Sequence, residues 1–89
     1  MSQSLSIIIP VLNEAAALPR LLESLQPLRA AGVEVIVSDG GSSDDSRAIA
    51  GPLTDLILQG EIGRSAQMNA AAEVAKGDWV LFFTAVSEV

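Results

Sequence analysis

A chain of 89 residues has room for one small domain and is short for a complete α/β enzyme. Hydrophobic residues make up 49% and charged residues 18%, which excludes a disordered chain; a net charge of −6 with no basic stripe excludes a nucleic-acid partner. The absence of cysteine and histidine removes disulfides, thiolate chemistry and the commonest general base, leaving carboxylates, amides, hydroxyls, Arg, Lys or a borrowed metal. The apolar runs are far shorter than a membrane span, and residues 1–6 carry no signal-peptide pattern, so no transmembrane segment and a cytoplasmic location are expected.

In chain order, Ser6-Ile7-Ile8-Ile9-Pro10-Val11 reads as a buried strand that stops around Pro10, since proline cannot donate to a ladder. Leu18, Leu21, Leu22, Leu25 and Leu28 recur at helical spacing and mark one apolar face. Pro19 suits the first turn of that helix, with Pro27 and Gly32 ending it. Residues 33–38 form a second strand, followed by the loop Asp39-Gly40-Gly41-Ser42-Ser43. Residues 44–50 read as a short helix with Ser43 as its N-cap, broken by Gly51-Pro52. A third strand over 55–58 is closed by Gly60. The helix expected over 63–76 has Gly77 as its C-cap, and a fourth strand spans 79–83.

This β-α-β-α-β-α-β order with short connections predicts a three-layer α/β/α fold on a mainly parallel sheet, with Ile8, Val35, Ile36, Ile57 and Leu81 central. Ligands of such sheets bind beyond the carboxyl ends of the strands. Those ends fall at residues 10–14, 38–43, 59–64 and 84–89, where the unusual polar residues gather.

Three constellations follow. Asn13 and Glu14 can hydrogen-bond a nucleoside, or simply cap a turn and complement a helix dipole. Asp39 beside two glycines can accept from a ribose hydroxyl or a base N–H, or form an Asp-Gly turn that needs no ligand. Arg64, Gln67 and Asn69 stand near a helix start suited to phosphate, against the alternative of a solvated first turn; a mid-helix Asn69 calls for a partner.

The strand Ser6-Ile7-Ile8-Ile9-Pro10-Val11-Leu12-Asn13-Glu14 resembles the opening of family 2 glycosyltransferases. Val35-Ile36-Val37-Ser38-Asp39-Gly40-Gly41-Ser42-Ser43-Asp44 resembles that family's second-strand motif. Gly63-Arg64-Ser65-Ala66-Gln67-Met68-Asn69-Ala70 resembles the helix of a bacterial subgroup. The resemblance runs from Leu5 to about Phe83 and implies the amino-terminal half of a nucleotide-diphospho-sugar domain performing inverting sugar transfer. It implies that Pro10, Asn13 and Glu14 line the base and ribose pocket, that Asp39 bonds the base or ribose, and that Arg64 and Asn69 help fix the nucleotide. The family's Mg or Mn is held by an aspartate whose place is taken here by Val86, with Glu88 nearby, so no residue is assigned to metal.

Residues 1–89 are accordingly read as a single partial domain, truncated before the acceptor half that supplies a general base. No catalytic residue is assigned, and competence for transfer is not expected. The partial fold implies an exposed sheet edge and a homo-oligomer. The rival readings are a non-enzymatic α/β fragment serving as an oligomerising or interaction module, and another nucleotide-dependent enzyme.

Overall fold

The computed structural model describes residues 4–60 and 63–83. The elements run β1 (Leu5–Val11), α1 (Leu18–Ser24), α2 (Gln26–Ala30), β2 (Glu34–Asp39), α3 (Ser46–Ala50), a 3₁₀ turn (Gly51–Leu53), β3 (Leu56–Gln59), α4 (Arg64–Val74) and β4 (Trp79–Phe82). The strands form one parallel sheet in the order β3-β2-β1-β4, with Ile8 opposite both Ile36 and Phe82. Strand order reverses at β1, and in open parallel sheets such a switch point opens a crevice beyond the strand ends.

Side chains alternate across a strand, and this alternation divides the aliphatic run of β1 between two cores. Ile7, Ile9 and Val11, with Val35 and Val37 of β2, pack beneath Leu18 and Leu22 of α1, Leu25 between α1 and α2, and Ala50 of α3. Ile8 and Ile36 point the other way and meet Ala71 of α4. The three-layer expectation is therefore met, and Ile8, Val35 and Ile36 are fully buried.

Leu81 and Ile57 correct the expected core. Leu81 is 43% exposed and Ile57 only half-buried, because β4 and β3 are the two edges and the helices are centred on β1 and β2. Leu28, expected on the apolar face, is exposed as well. The helix carrying it is broken after Ser24, and Pro27 lies in the first turn of α2 instead of ending α1. Gly32 does close α2, at φ +103°, with the Val33 N–H donating to the Leu28 carbonyl.

Pro10 does not stop β1; it sits within it, opposite Ser38. The reason lies in the direction of the ladder. The Ser4 and Ile8 carbonyls accept from Trp79 and Phe83 on the β4 side, whereas the Val11 carbonyl accepts from Gly40 on the β2 side. The missing N–H of Pro10 thus falls on the β4 side, beyond the last paired residues, Ile8 and Phe82.

Two expected caps also differ. The helix after β2 starts at Ser46 with Asp45 at its cap position and no side-chain cap, because Ser43 is turned toward Asn13; Gly51 and Pro52 extend it as a 3₁₀ turn. Gly77 is not the C-cap of α4, which ends at Val74 with Ala75 extended. Its role is close approach: a Cβ there would stand 2.6 Å from the Ser6 nitrogen. The Gly77 N–H donates to Ser6 Oγ, which in turn donates to Glu34 (2.9 and 2.7 Å), so the entry to β4 is clasped to the starts of β1 and β2.

Candidate functional site

Beyond the carboxyl ends of β1 and β2, the chain leaves the sheet in two loops that lace together. Three successive backbone N–H groups of the first loop donate to side chains of the second. Asn13 donates to Ser42 Oγ (2.9 Å), Glu14 to Ser46 Oγ (3.0 Å) and Ala15 to Asp44 Oδ2 (3.1 Å). In return Asn13 Oδ1 accepts from the N–H groups of Ser43 (2.7 Å) and Asp44 (3.3 Å). Asn13 adopts φ +52°, a left-handed conformation that asparagine tolerates better than most residues.

Asp39 ends β2 and is wholly buried. Both its oxygens accept from the Ser42 N–H at 3.2 Å, Oδ1 also takes the Ser42 hydroxyl, and Oδ2 pairs with Arg47 Nε at 3.2 Å. Asp44 takes the N–H and hydroxyl of Ser46, and these bonds hold its carboxyl below the usual range.

Glu14 stands apart from these satisfied groups. Its Oε2 is buried and has no hydrogen-bond partner among the described residues. Burial pushes its carboxyl up from the ordinary value; the Leu12 N–H and the charge of Arg64 pull it back, and Asp44 adds to the rise. A half-buried carboxylate with a spare acceptor suits the hydroxyls of a sugar or the N–H of a base.

Helix α4 approaches the same strand ends. Gln67 Nε2 donates to the Val11 and Ser38 carbonyls (2.9 and 2.8 Å), closing β1 and β2 from above. Gln67 is therefore a buried staple, not part of a solvated first turn. One turn before it, Arg64 opens the helix, exposed and close enough to Glu14 to act on its charge. Asn69 lies two residues past Gln67, about 200° around the helix. It is exposed and its side chain makes no hydrogen bond among the described residues, so the partner it called for is not found there.

The structure thus brings Pro10, Asn13, Glu14, Asp39 and Arg64 to one end of the sheet and leaves Asn69 on another face of α4. The contributions of Ser42, Asp44, Ser46 and Arg47 were not singled out by sequence reasoning. The serine-rich run after Asp39 was the available signal, but spacing does not show that its hydroxyls serve the β1 loop. Val86 and Glu88 lie outside the described residues. Among those described, no group of three or more metal-binding side chains gathers, and Asp39 and Asp44 are already committed. These residues do not fit a protein-held cation.

Comparison with known proteins agrees with this architecture. The model of the family "Glycosyl transferase family 2" matches residues 6–85. An uncharacterized glycosyltransferase of Haemophilus influenzae is 36% identical over 81 residues, covering 88% of this chain and 28% of that protein. A PGL/p-HBAD biosynthesis glycosyltransferase of Mycobacterium bovis is 36% identical over 87 residues, covering 90% of this chain and 34% of the other. Among solved structures, glucosyl-3-phosphoglycerate synthase from Mycobacterium tuberculosis, in complex with Mn²⁺, UDP and glucosyl-3-phosphoglycerate, superposes with a TM-score of 0.85 at 26% identity. That match covers 94% of this chain and 34% of the synthase. The chain spans about a third of the length of these relatives. It belongs to glycosyl transferase family 2.

Proposed function

We propose that this family 2 chain supplies the nucleotide-holding part of a glycosyltransferase, which takes a sugar from a nucleotide-diphosphate donor and transfers it with inversion. The observation that carries the reading is the buried Glu14 oxygen, without a partner among the described residues, at the end of a middle strand, beside the Arg64 that opens α4. Glu14 accepts from the ribose or base, Arg64 attracts the diphosphate, and buried Pro10 forms the adjoining wall. Asn13 and Asp39 build the turn on which Glu14 rides. Asn69 faces elsewhere and is the least suited of the sequence-selected residues to touch the nucleotide.

The solved relative contains Mn²⁺ and UDP, which supports a divalent cation and a nucleotide-sugar donor here. A bound Mg or Mn would neutralise the diphosphate leaving group. Among the described residues no cluster of three or more carboxylates is arranged to hold one. Calorimetric titration of UDP and the other nucleoside diphosphates, with and without Mn²⁺, tests the reading. At least one should bind, and Glu14→Gln should weaken it about ten- to a hundredfold, as expected for a charge-assisted hydrogen bond. Failure of every nucleotide to bind would sink the proposal.

A second reading, self-association, draws on one further observation. The strand β4 exposes Val80, Leu81 and Phe82, a row of apolar residues, and among the described residues it is paired in the sheet with β1 alone. A homo-oligomer formed through that edge is compatible with nucleotide binding at the other end of β1.

A further inference from the structure

We propose that Asp39 and Asn13 are positioning residues, which act on the nucleotide pocket through Ser42 and do not touch the donor. The inference rests on the nucleotide-binding reading and narrows it. A carboxylate offers about four acceptor sites. Those of Asp39 take the hydroxyl and N–H of Ser42 and the guanidinium of Arg47, and the side chain is shut off from solvent. A ribose or base could reach it only by dismantling these bonds.

What Asp39 controls is the orientation of one hydroxyl. Because Ser42 Oγ gives its proton to Asp39, its lone pairs are presented to the Asn13 N–H, 2.9 Å away. That bond, with the N–H groups of Ser43 and Asp44 on Asn13 Oδ1, holds Asn13 at φ +52°. A non-glycine residue keeps such a conformation only where its surroundings enforce it. The next residue is Glu14, whose own N–H is fixed by Ser46. The relay Asp39, Ser42, Asn13 therefore sets the direction from which the Glu14 carboxylate enters the site.

Relay and direct contact differ in how substitutions combine. UDP, or whichever nucleoside diphosphate binds the unmodified protein, is titrated into Asp39→Asn, Ser42→Ala, the double variant and Ser42→Thr. A relay predicts that each of the first two weakens binding by a similar factor of roughly ten, that the double variant is no weaker than the worse single one, and that Ser42→Thr, keeping the hydroxyl, restores affinity. An undiminished loss from Asp39→Asn in the Ser42→Ala background would mean that Asp39 touches the nucleotide, and would overturn the proposal.

Hydrogen exchange without nucleotide gives an independent readout. The Asn13, Ser43 and Asp44 amides should lose protection in Asp39→Asn and Ser42→Ala while the β1 and β2 amides keep theirs. Unchanged protection at Asn13 overturns the relay. Should the unmodified protein bind no nucleotide, the functional reading falls and this exchange pattern alone decides whether the relay exists.

Discussion

Replacing Gln67 by methionine removes the staple between α4 and the sheet at nearly constant side-chain volume. Two hydrogen bonds disappear, to the Val11 carbonyl at 2.9 Å and the Ser38 carbonyl at 2.8 Å. Both acceptors keep a ladder bond: Val11 holds the Gly40 N–H at 2.9 Å, and in the register that pairs Val11 with Asp39 the Ser38 carbonyl faces the Val11 N–H. Each loss is therefore that of one ordinary bond, about 1 kcal/mol. The total is about 2 kcal/mol, a large fraction of what a domain this size has to spare, and corresponds to a fall in melting temperature of roughly 8–16 °C. Urea denaturation followed by circular dichroism measures it directly. A Gln67→Met midpoint within error of the unmodified protein would show that the two bonds contribute nothing, and that apolar packing such as that of Ala71 on Ile8 and Ile36 holds α4.

Gly77→Ala should cost about 2 kcal/mol, because the new Cβ meets backbone atoms of Ser6 and Leu5 at 2.6 and 2.8 Å, whereas Gly51→Ala, with open space and a helical φ of −47°, should gain about 0.5 kcal/mol; equal melting temperatures for the two variants would refute the close-approach role. Asp55 is pushed up by burial, but the Val35 N–H and Arg29 outweigh this and leave its carboxyl below the ordinary value, so its contribution to stability is present above about pH 4 and lost as pH falls through its depressed folded value. The stability difference between the unmodified protein and Asp55→Asn, read from urea midpoints, should therefore shrink from pH 7 to pH 2, and a constant difference would count against it. Glu14 has the opposite sign: its raised folded value means that ionisation opposes folding as pH rises, so Glu14→Gln should be the more stable protein at pH 7, and a loss of stability there would contradict the burial argument. Association through β4 should rise with concentration in light scattering and be abolished by Leu81→Lys; a monomer at every concentration removes that interface.

The fold was legible where one physical signal dominated. The aliphatic runs at Ile7-Ile8-Ile9 and Val35-Ile36-Val37 have no polar alternation, and only a strand covered on both faces accommodates such runs. The location of the site was legible for a related reason, since polar residues interrupt those runs only where the strands end. The partners of these polar residues were not legible. Asn13 meets Ser42, Ser43 and Asp44 about 30 positions along the chain, a pairing set by the register of β1 on β2. Asp39 carried both a ligand reading and a turn reading, and the choice depended on Arg47 and Ser42, whose directions are fixed by a short helix with no strong pattern. Pro10 misled because its effect depends on which neighbour its missing N–H would have addressed. Gly77 occupied the position of a C-cap in the sequence, but the helix ends earlier and the glycine admits the Ser6 backbone.

The placement of β1 in the middle of the sheet has a consequence for how the chain comes into being. Its ladder with β4 joins the first of the described strands to the last of them, and the Ser4–Asp78 bonds close a separation of 74 residues. Nascent β1 can pair with β2 once Asp39 has left the ribosome, but its other flank waits for Trp79–Phe82. At synthesis rates of roughly 5–20 residues per second, that wait lasts several seconds. Throughout it, an isoleucine-rich strand stands half-paired, and non-local closure makes the final step slow. Such a segment is a template for pairing with other chains, so the yield of native protein should be sensitive to translation speed and chaperone supply.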